Sequence, residues 1–171
     1  AINSDYHVFE VMADHVNISG FTVTWATKYN KAAGIYLESG VDHCNISNII
    51  AINNYFGIRL YESSDNMVAN NTAWNNQHGI CLEYSSNNTL MNNTANLNKD
   101  DGIRIGDSSN NNVIANNNAN SNKDDGIILY FSSANNTVEN NSMLSNLHGI
   151  LLWYSGSNNI VAGNNVKSNT Q

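Results

Sequence analysis

Short stretches in which apolar and polar residues alternate recur along the chain, at Ile58/Leu60, Ile80/Leu82, Ile103/Ile105 and Ile127/Leu129. Alternation with a period of two places both apolar side chains on one face of a short strand. Each pair follows a glycine, and the dipeptide Gly-Ile returns at Gly34, Gly57, Gly79, Gly102, Gly126 and Gly149, in steps of 22 to 24 residues. Two further inward sets follow in each unit: Ile46, Val68, Leu90, Ile114, Val138 and Val161, then Ala51, Ala73, Ala95, Ala119, Met143 and Val166. Three short strands in about 23 residues leave no room for a helix. The pattern predicts an all-β fold, a single-stranded parallel β-helix with three short strands per coil.

A single coil cannot bury its apolar face, so stability must come from stacking coils about 4.8 Å apart. Residues 34–171 give six regular coils, and residues 8–33 a degenerate first one. "DHVNISGFTVT" from Asp14 echoes "DHCNISNIIAI" from Asp42. Residues 1–171 are therefore expected to form one solenoid domain of about seven coils, roughly 30–35 Å long at that spacing. The Gly102 and Gly126 units carry an extra residue, placed by the pattern in the turns "SSNNNV" and "SSANNTV". Glycine ahead of each first strand is expected to serve a tight corner.

Composition sharpens this picture. Of 171 residues 36 are Asn and none is Pro. The asparagines fall in register: Asn54, Asn76, Asn98, Asn122, Asn146 and Asn169 at one corner, and Asn71, Asn93, Asn117, Asn141 and Asn164 at another. Beside the second run stand Asn48, Asn70, Asn92, Asn116 and Asn140. A side-chain amide both donates and accepts, so stacked copies can bond to one another and to turn backbone. A net charge of -7, with no basic stripe, argues against nucleic-acid binding. No apolar stretch is long enough for a membrane span.

The units "GICLEYSSNNTLMNNTANLN" and "GIILYFSSANNTVENNSMLSN" resemble the right-handed parallel β-helix repeats of NosD-like and archaeal surface-layer-associated proteins. The resemblance implies the right hand of the helix. It also implies an extracellular or cell-surface setting, and functions that range from pectinolytic enzymes, lyases and epimerases through copper-maturation accessory proteins to cell-envelope proteins. Fold alone does not choose among these.

Four groups of residues are candidates for chemistry. Asp100, Asp101, Asp124 and Asp125 come from successive coils and can make a solvated corner, a Ca²⁺ site or an acid/base pair on carbohydrate. Their column reads Ala33, Phe56, His78, Asp101, Asp125, His148. Outward positions of the first strand and the turn after it, Tyr36, Arg59, Tyr61, Glu83, Tyr84, Arg104, Ile128, Tyr130, Phe131, Leu151, Trp153 and Tyr154, can form a protein interface or a sugar-stacking groove. A strand apolar on both faces is normally covered on both. Cys44 sits in a turn and Cys81 projects outward two coils later, too far apart for an internal disulfide, so an exposed Cys81 is a candidate interchain bridge. Sequons fall at Asn17, Asn45, Asn70, Asn87, Asn92, Asn135 and Asn140; several are expected to be buried in the ladder, with Asn87 and Asn135 the candidate glycan carriers. The five histidines are expected on different corners, which weakens a copper-delivery role. No Gly-x-Ser-x-Gly, His-Glu-x-x-His, P-loop or dinucleotide fingerprint is present.

The last coil, "GILLWYSGSNNIVAGNNVKSNTQ", is apolar and no amphipathic helix follows it, so the ends read as uncapped. With no initiator Met, the chain reads as processed or as a fragment. These features predict a non-enzymatic structural protein of the cell envelope that assembles with itself into a layer, sheath or filament, with no cofactor. The alternative is a carbohydrate-binding or carbohydrate-active β-helix whose partner is a cell-surface polysaccharide.

Overall fold

A computed structural model describes residues 6–27 and 31–171. The strands stack on three parallel faces: two are seven-stranded sheets with one strand from every coil, and the third is a three-stranded and a two-stranded sheet joined by single bridges. The first sheet holds Phe9–Val11 and the six longest strands, Ala33–Leu37, Phe56–Tyr61, His78–Glu83, Ile103–Gly106, Asp125–Tyr130 and His148–Trp153. The second runs from Asn17–Ser19 to Ile160–Ala162 in three-residue strands. The third begins with Thr22–Thr24, Ile50–Ile52 and Thr72–Trp74. It continues through single bridges at Thr94 and Asn118 to Ser142–Leu144 and Asn165–Lys167. About seven turns of a parallel β-helix result, with no helix among the described residues.

Register follows the alternation. Ile35, Ile58, Ile80, Ile103, Ile127 and Ile150 stack in one column, and Leu37, Leu60, Leu82, Ile105, Leu129 and Leu152 in the next. Ile35 to Ile127 and Leu37 to Leu129, with Ile46 to Val138 from the second sheet and Ala51 to Met143 from the third, form one continuous core, and Ile150 packs against it. Each fully buried Ile or Leu contributes about 1.5–3 kcal/mol. In the last coil the inward residues Leu152, Val161 and Val166 remain exposed, at 47%, 43% and 46%.

Three asparagine ladders, not two, hold the corners. The third is Asn66, Asn88, Asn112, Asn136 and Asn159, the last Asn of each Ser/Asn turn. At its head stands Cys44, whose backbone N–H donates to Asn66 Oδ1 at 2.7 Å and whose Sγ accepts from the Val16 N–H at 3.3 Å. Asn48, Asn70, Asn92, Asn116 and Asn140 are not rungs of a ladder. They take the left-handed backbone conformation, φ 54° to 57°, that asparagine tolerates better than most residues.

Two expectations about turns change. The repeated glycines do not adopt positive φ; they face the core where coils approach closely. A Cβ at Gly57 would lie 2.5 Å from the Gly79 carbonyl oxygen and 3.0 Å from Ala73 Cβ. The extra residue in the Gly102 and Gly126 units precedes the conserved-register serines Ser109 and Ser133. There Asp107–Ser108 and Phe131–Ser132 supply two successive left-handed residues, where the Gly57 and Gly79 units use one, Glu62 or Tyr84.

Candidate functional site

The outer face of the first sheet is a grid of three columns. Paired registers align Ala33, Phe56 and His78, then Asp125 and His148; Tyr36, Arg59, Cys81, Arg104, Ile128 and Leu151; and Tyr61 and Glu83, then Tyr130 and Trp153. Asp101 completes the first column between His78 and Asp125, through His78 Nδ1 at 3.2 Å and the Asp125 N–H at 3.4 Å.

A local insertion creates the doubled aspartates. Asn76 and Asn98 are bonded ladder neighbours 22 residues apart, whereas Gly79 and Gly102 are 23 apart. The corner "NKDDGI" thus holds one residue more than "NQHGI" or "NLHGI", and it does so in two successive coils. The added length presents Asp124 to solvent and leaves Asp100 half-buried, while Asp101 and Asp125 lie on the strand face, 4% and 2% exposed. The corner expected to be solvated is therefore split, with only its outer half wet.

Each buried carboxylate meets a histidine. His148 Nδ1 sits 2.7 Å from Asp125 Oδ1, and its Nε2 is 3.0 Å from Gln171 Oε1. Below, Asp100 Oδ2 accepts from Gln77 Nε2 at 2.7 Å and lies 3.5 Å from His78 Nε2. His78 Nδ1 is near Asp101 Oδ2 but off the line of a hydrogen bond, so this buried nitrogen has no hydrogen-bond partner. Arg104 approaches the other side, its guanidinium 3.6 Å from Asp101 Oδ2. Burial raises the Asp125 carboxyl to about 6, against the opposing pull of its His148 bond. Burial also raises Asp124, helped by the charge of Asp101, and the Asp125 bond raises His148.

Next to this column the aromatic residues divide into two groups. Tyr130 is not on the open face. Its ring lies over Gly106, where a Cβ would come within 1.8 Å of Tyr130 Cε1, and Arg104 stacks on it at 4.4 Å. Its hydroxyl accepts from Arg104 Nε at 2.9 Å and reaches Asp107 Oδ2 at 3.1 Å. Ile128 is buried too, at 8%. By contrast Tyr84, Phe131, Trp153 and Tyr154 are exposed, and Phe131, Trp153 and Tyr154 form a run with centroids 5.3 and 5.5 Å apart. Glu83 is turned inward on the grid, paired with Arg59.

Toward the other end, Lys31, Tyr36, Arg59 and Tyr61 line a shallow pocket of about 220 Å³. Arg59 is held there by Glu83 and by the rings of Phe56 and Tyr61, 4.9 and 5.2 Å from its guanidinium carbon. Tyr36, Arg59 and Tyr61 of this pocket are among the outward residues expected to form a groove, whereas Lys31 and the functional pairing of the two histidines are not given by periodicity. For the histidines a signal was available, because both lie in register with the aspartates.

Several expectations are corrected here. Cys81 is wholly buried against Ala33 and Phe56, and Cys44 is 2% exposed, so neither thiol is on the surface for an interchain bridge. The sequon asparagines are not the buried ones: Asn87 and Asn135 are exposed, as are Asn17, Asn70, Asn92 and Asn140, and Asn45 is half-buried. The histidines are not scattered singly either. His78 and His148 share the Asp column, His15 stacks on His43 at 5.1 Å, and His7 stacks on Tyr36 at 4.0 Å.

Fold and site together define a parallel β-solenoid with a mixed charged and aromatic outer face on its longest sheet. Residues 7–166 match the model of the right handed beta helix region, and the chain belongs to that family, which fixes the hand of the coil. No curated protein matches the sequence. A point mutant of the periplasmic alginate epimerase AlgG superposes with a TM-score of 0.82 and 24% identity, over 91% of this chain and 40% of that one. Unmutated AlgG gives 0.75 and 23%, over 87% and 42%. An alginate lyase from Paenibacillus sp. str. FPU-7 gives 0.63 and 13%, over 94% and 76%. At these identities the likeness is one of fold, and the chain spans about 40% of the AlgG length. Among the described residues no helix is long and apolar enough to cross a membrane.

Proposed function

We propose that the protein is a secreted or periplasmic, carbohydrate-active β-helix that binds an acidic polysaccharide along the outer face of its first sheet. The observation that carries this reading is the placement of a cationic, aromatic pocket and a His–Asp column on one continuous face. Lys31, exposed at the mouth, can pair with a sugar carboxylate, Arg59 lies beneath it already neutralised by Glu83, and Tyr36 and Tyr61 border the pocket with apolar ring surface. Three to four coils along, about 14–19 Å at the strand spacing, stand Asp125 and His148, which can exchange a proton with a bound sugar. Trp153 and its neighbours extend the stacking surface. The solved structures named above include proteins called alginate epimerase and alginate lyase, and this supports a polyuronate as the polymer.

The competing expectation, a self-assembling envelope protein, drew on apolar side chains turned outward from this sheet. Ile128 and Tyr130, two of those residues, are covered within the chain itself, which removes part of its support. The test is incubation with alginate, pectate and neutral dextran, following retention of the protein on each polymer, ultraviolet absorbance for elimination, and proton NMR for altered sugar configuration. Retention on the acidic polymers with a change in one of them is expected. Equal retention on dextran, or none on any acidic polymer, would overturn the proposal.

A further inference from the structure

The Asn-x-Ser/Thr sequons are not spread evenly around the solenoid. All seven fall within the strands of the second sheet or within two residues of their ends, and none lies on the first sheet. Asn87 and Asn135 stand just before the strands Thr89–Met91 and Thr137–Glu139, and Asn92 and Asn140 just after them. Asn70 likewise follows Met67–Ala69. The repeat itself accounts for this placement. Each of these five corner asparagines is followed by a buried ladder asparagine, then an outward Thr or Ser, then a core residue, Ala73, Leu90, Ala95, Val138 or Met143. A ladder asparagine has that core residue two places on, where a sequon needs a hydroxyl. The corner asparagine has the hydroxyl, and it is exposed, in the left-handed conformation at φ 54° to 58°.

Ladder amides are committed to the fold: Asn93 Nδ2 donates to Asn117 Oδ1 at 3.0 Å, and a substituent on that nitrogen would break the bond. The corner amides take no part in the ladders, so the coil holds whether they are free or substituted. The face between the two rows of corners is also short of charge. Among the outward residues of the second-sheet strands only Glu139 is charged, while Met67 and Ile160 are exposed. A bulky, solubilising glycan suits such a face.

We propose that the second sheet is the glycosylated face of the protein, with N-linked oligosaccharide at Asn87 and Asn135 along one edge and at Asn92 and Asn140 along the other. The two carriers on each edge are two coils apart, about 10 Å at the strand spacing. Asn70 is one coil from Asn92 and is shielded by its glycan. The donor is an oligosaccharide carried on a lipid phosphate, transferred by a membrane oligosaccharyltransferase. The Asn amide nitrogen bonds to C1 of the sugar, the C1–O bond to phosphate breaks, the lipid phosphate leaves, and the nitrogen gives up one proton. The proposal rests on the exported setting of the reading above and not on its polysaccharide, for which the glycans leave the first sheet clear.

The test is peptide mass spectrometry on the protein recovered from its own cells and on Thr89→Ala and Thr137→Ala made in the same cells. Glycan mass is expected on the peptides of Asn87, Asn92, Asn135 and Asn140 and on no ladder asparagine. Thr89→Ala should lose the mass at Asn87 alone, and Thr137→Ala that at Asn135 alone. Exported protein with all four asparagines unmodified, or glycan mass that survives the threonine variants, overturns the glycosylated face and leaves the polysaccharide reading standing. Protein confined to the cytoplasm overturns both. Glycosylated protein that no acidic polymer retains supports this proposal and overturns only the polysaccharide reading. Should a threonine variant fail to accumulate, the map of the unchanged protein decides alone.

Discussion

Asn98 donates from its side-chain amide to the side-chain oxygen of Asn122, one coil along, at 3.0 Å. The same amide donates to the Ala73 carbonyl at 3.2 Å, and Asn98 Oδ1 accepts the Asn76 backbone N–H at 3.1 Å. One side chain therefore satisfies two buried backbone groups of the coil before it and bonds the side chain of the coil after it. Asn98→Ala leaves these groups unpaired at about 1–3 kcal/mol each, a loss of about 3–5 kcal/mol in all. Asn92→Ala, at an exposed left-handed position one turn away, should cost only about 1 kcal/mol. Urea unfolding of both variants checks the difference, and equal small losses would refute the ladder as a stabilising device.

Glycine at position 106 makes room for a ring. Gly106→Ala drives a methyl group into Tyr130 and lifts its hydroxyl away from Arg104 and Asp107. The expected outcome is a destabilisation of about 1–3 kcal/mol. Burial holds the Tyr130 phenol well above its ordinary pKa, so the lifted phenol should also ionise at lower pH. Alkaline titration of tyrosine absorbance reads this directly.

His7 gives the first coil a pH dependence. Its Nδ1 accepts the Ala33 backbone N–H at 3.0 Å, which requires the neutral ring, and burial, with the charge of Arg59, lowers its pKa to about 4. The unfolded chain takes up this proton near 6.5 and the folded chain only near 4. The contribution is therefore complete above 6.5 and is lost as pH falls through that window. Amide exchange at Ala33 should accelerate between pH 6.5 and 4, beyond the intrinsic dependence, and His7→Gln should remove the effect.

Burial pushes the Cys81 thiol well above its ordinary pKa, and the Cys44 thiol is raised by burial as well. Neither should react with a disulfide reagent in the native protein, and both should react at once in 6 M guanidinium. Rapid native labelling of Cys81 would show that the outer face of the first sheet opens.

Alternation was enough to read the coil, the inward columns and the stacking of Asp101 on Asp125, because period and register are properties of the backbone. It identifies the outward face of a strand but says nothing about what covers that face. Cys81 and Ile128 stand at outward positions and are buried, Cys81 in a small cluster with Ala33 and Phe56. Tyr130 itself is buried because Gly106, one coil below, has no side chain. The third ladder was hidden in the sequence because its turns vary in length and composition, with Asn66 after Asp65 and Asn112 after two other asparagines. His78 and His148 were visible in the Asp column, but their pairing needed side-chain geometry that spacing does not supply.

The outer face of the first sheet as a polyuronate-binding surface is tested most directly by calorimetric titration with a short uronate oligosaccharide. The protein, Lys31→Ala, Trp153→Ala and, as a control on the third sheet, Trp74→Ala are compared. Binding should weaken about 10-fold or more in the first two variants, stay unchanged in Trp74→Ala, and fall away when a neutral oligosaccharide replaces the uronate. Equal affinity across all four proteins, or equal affinity for the neutral sugar, would contradict it.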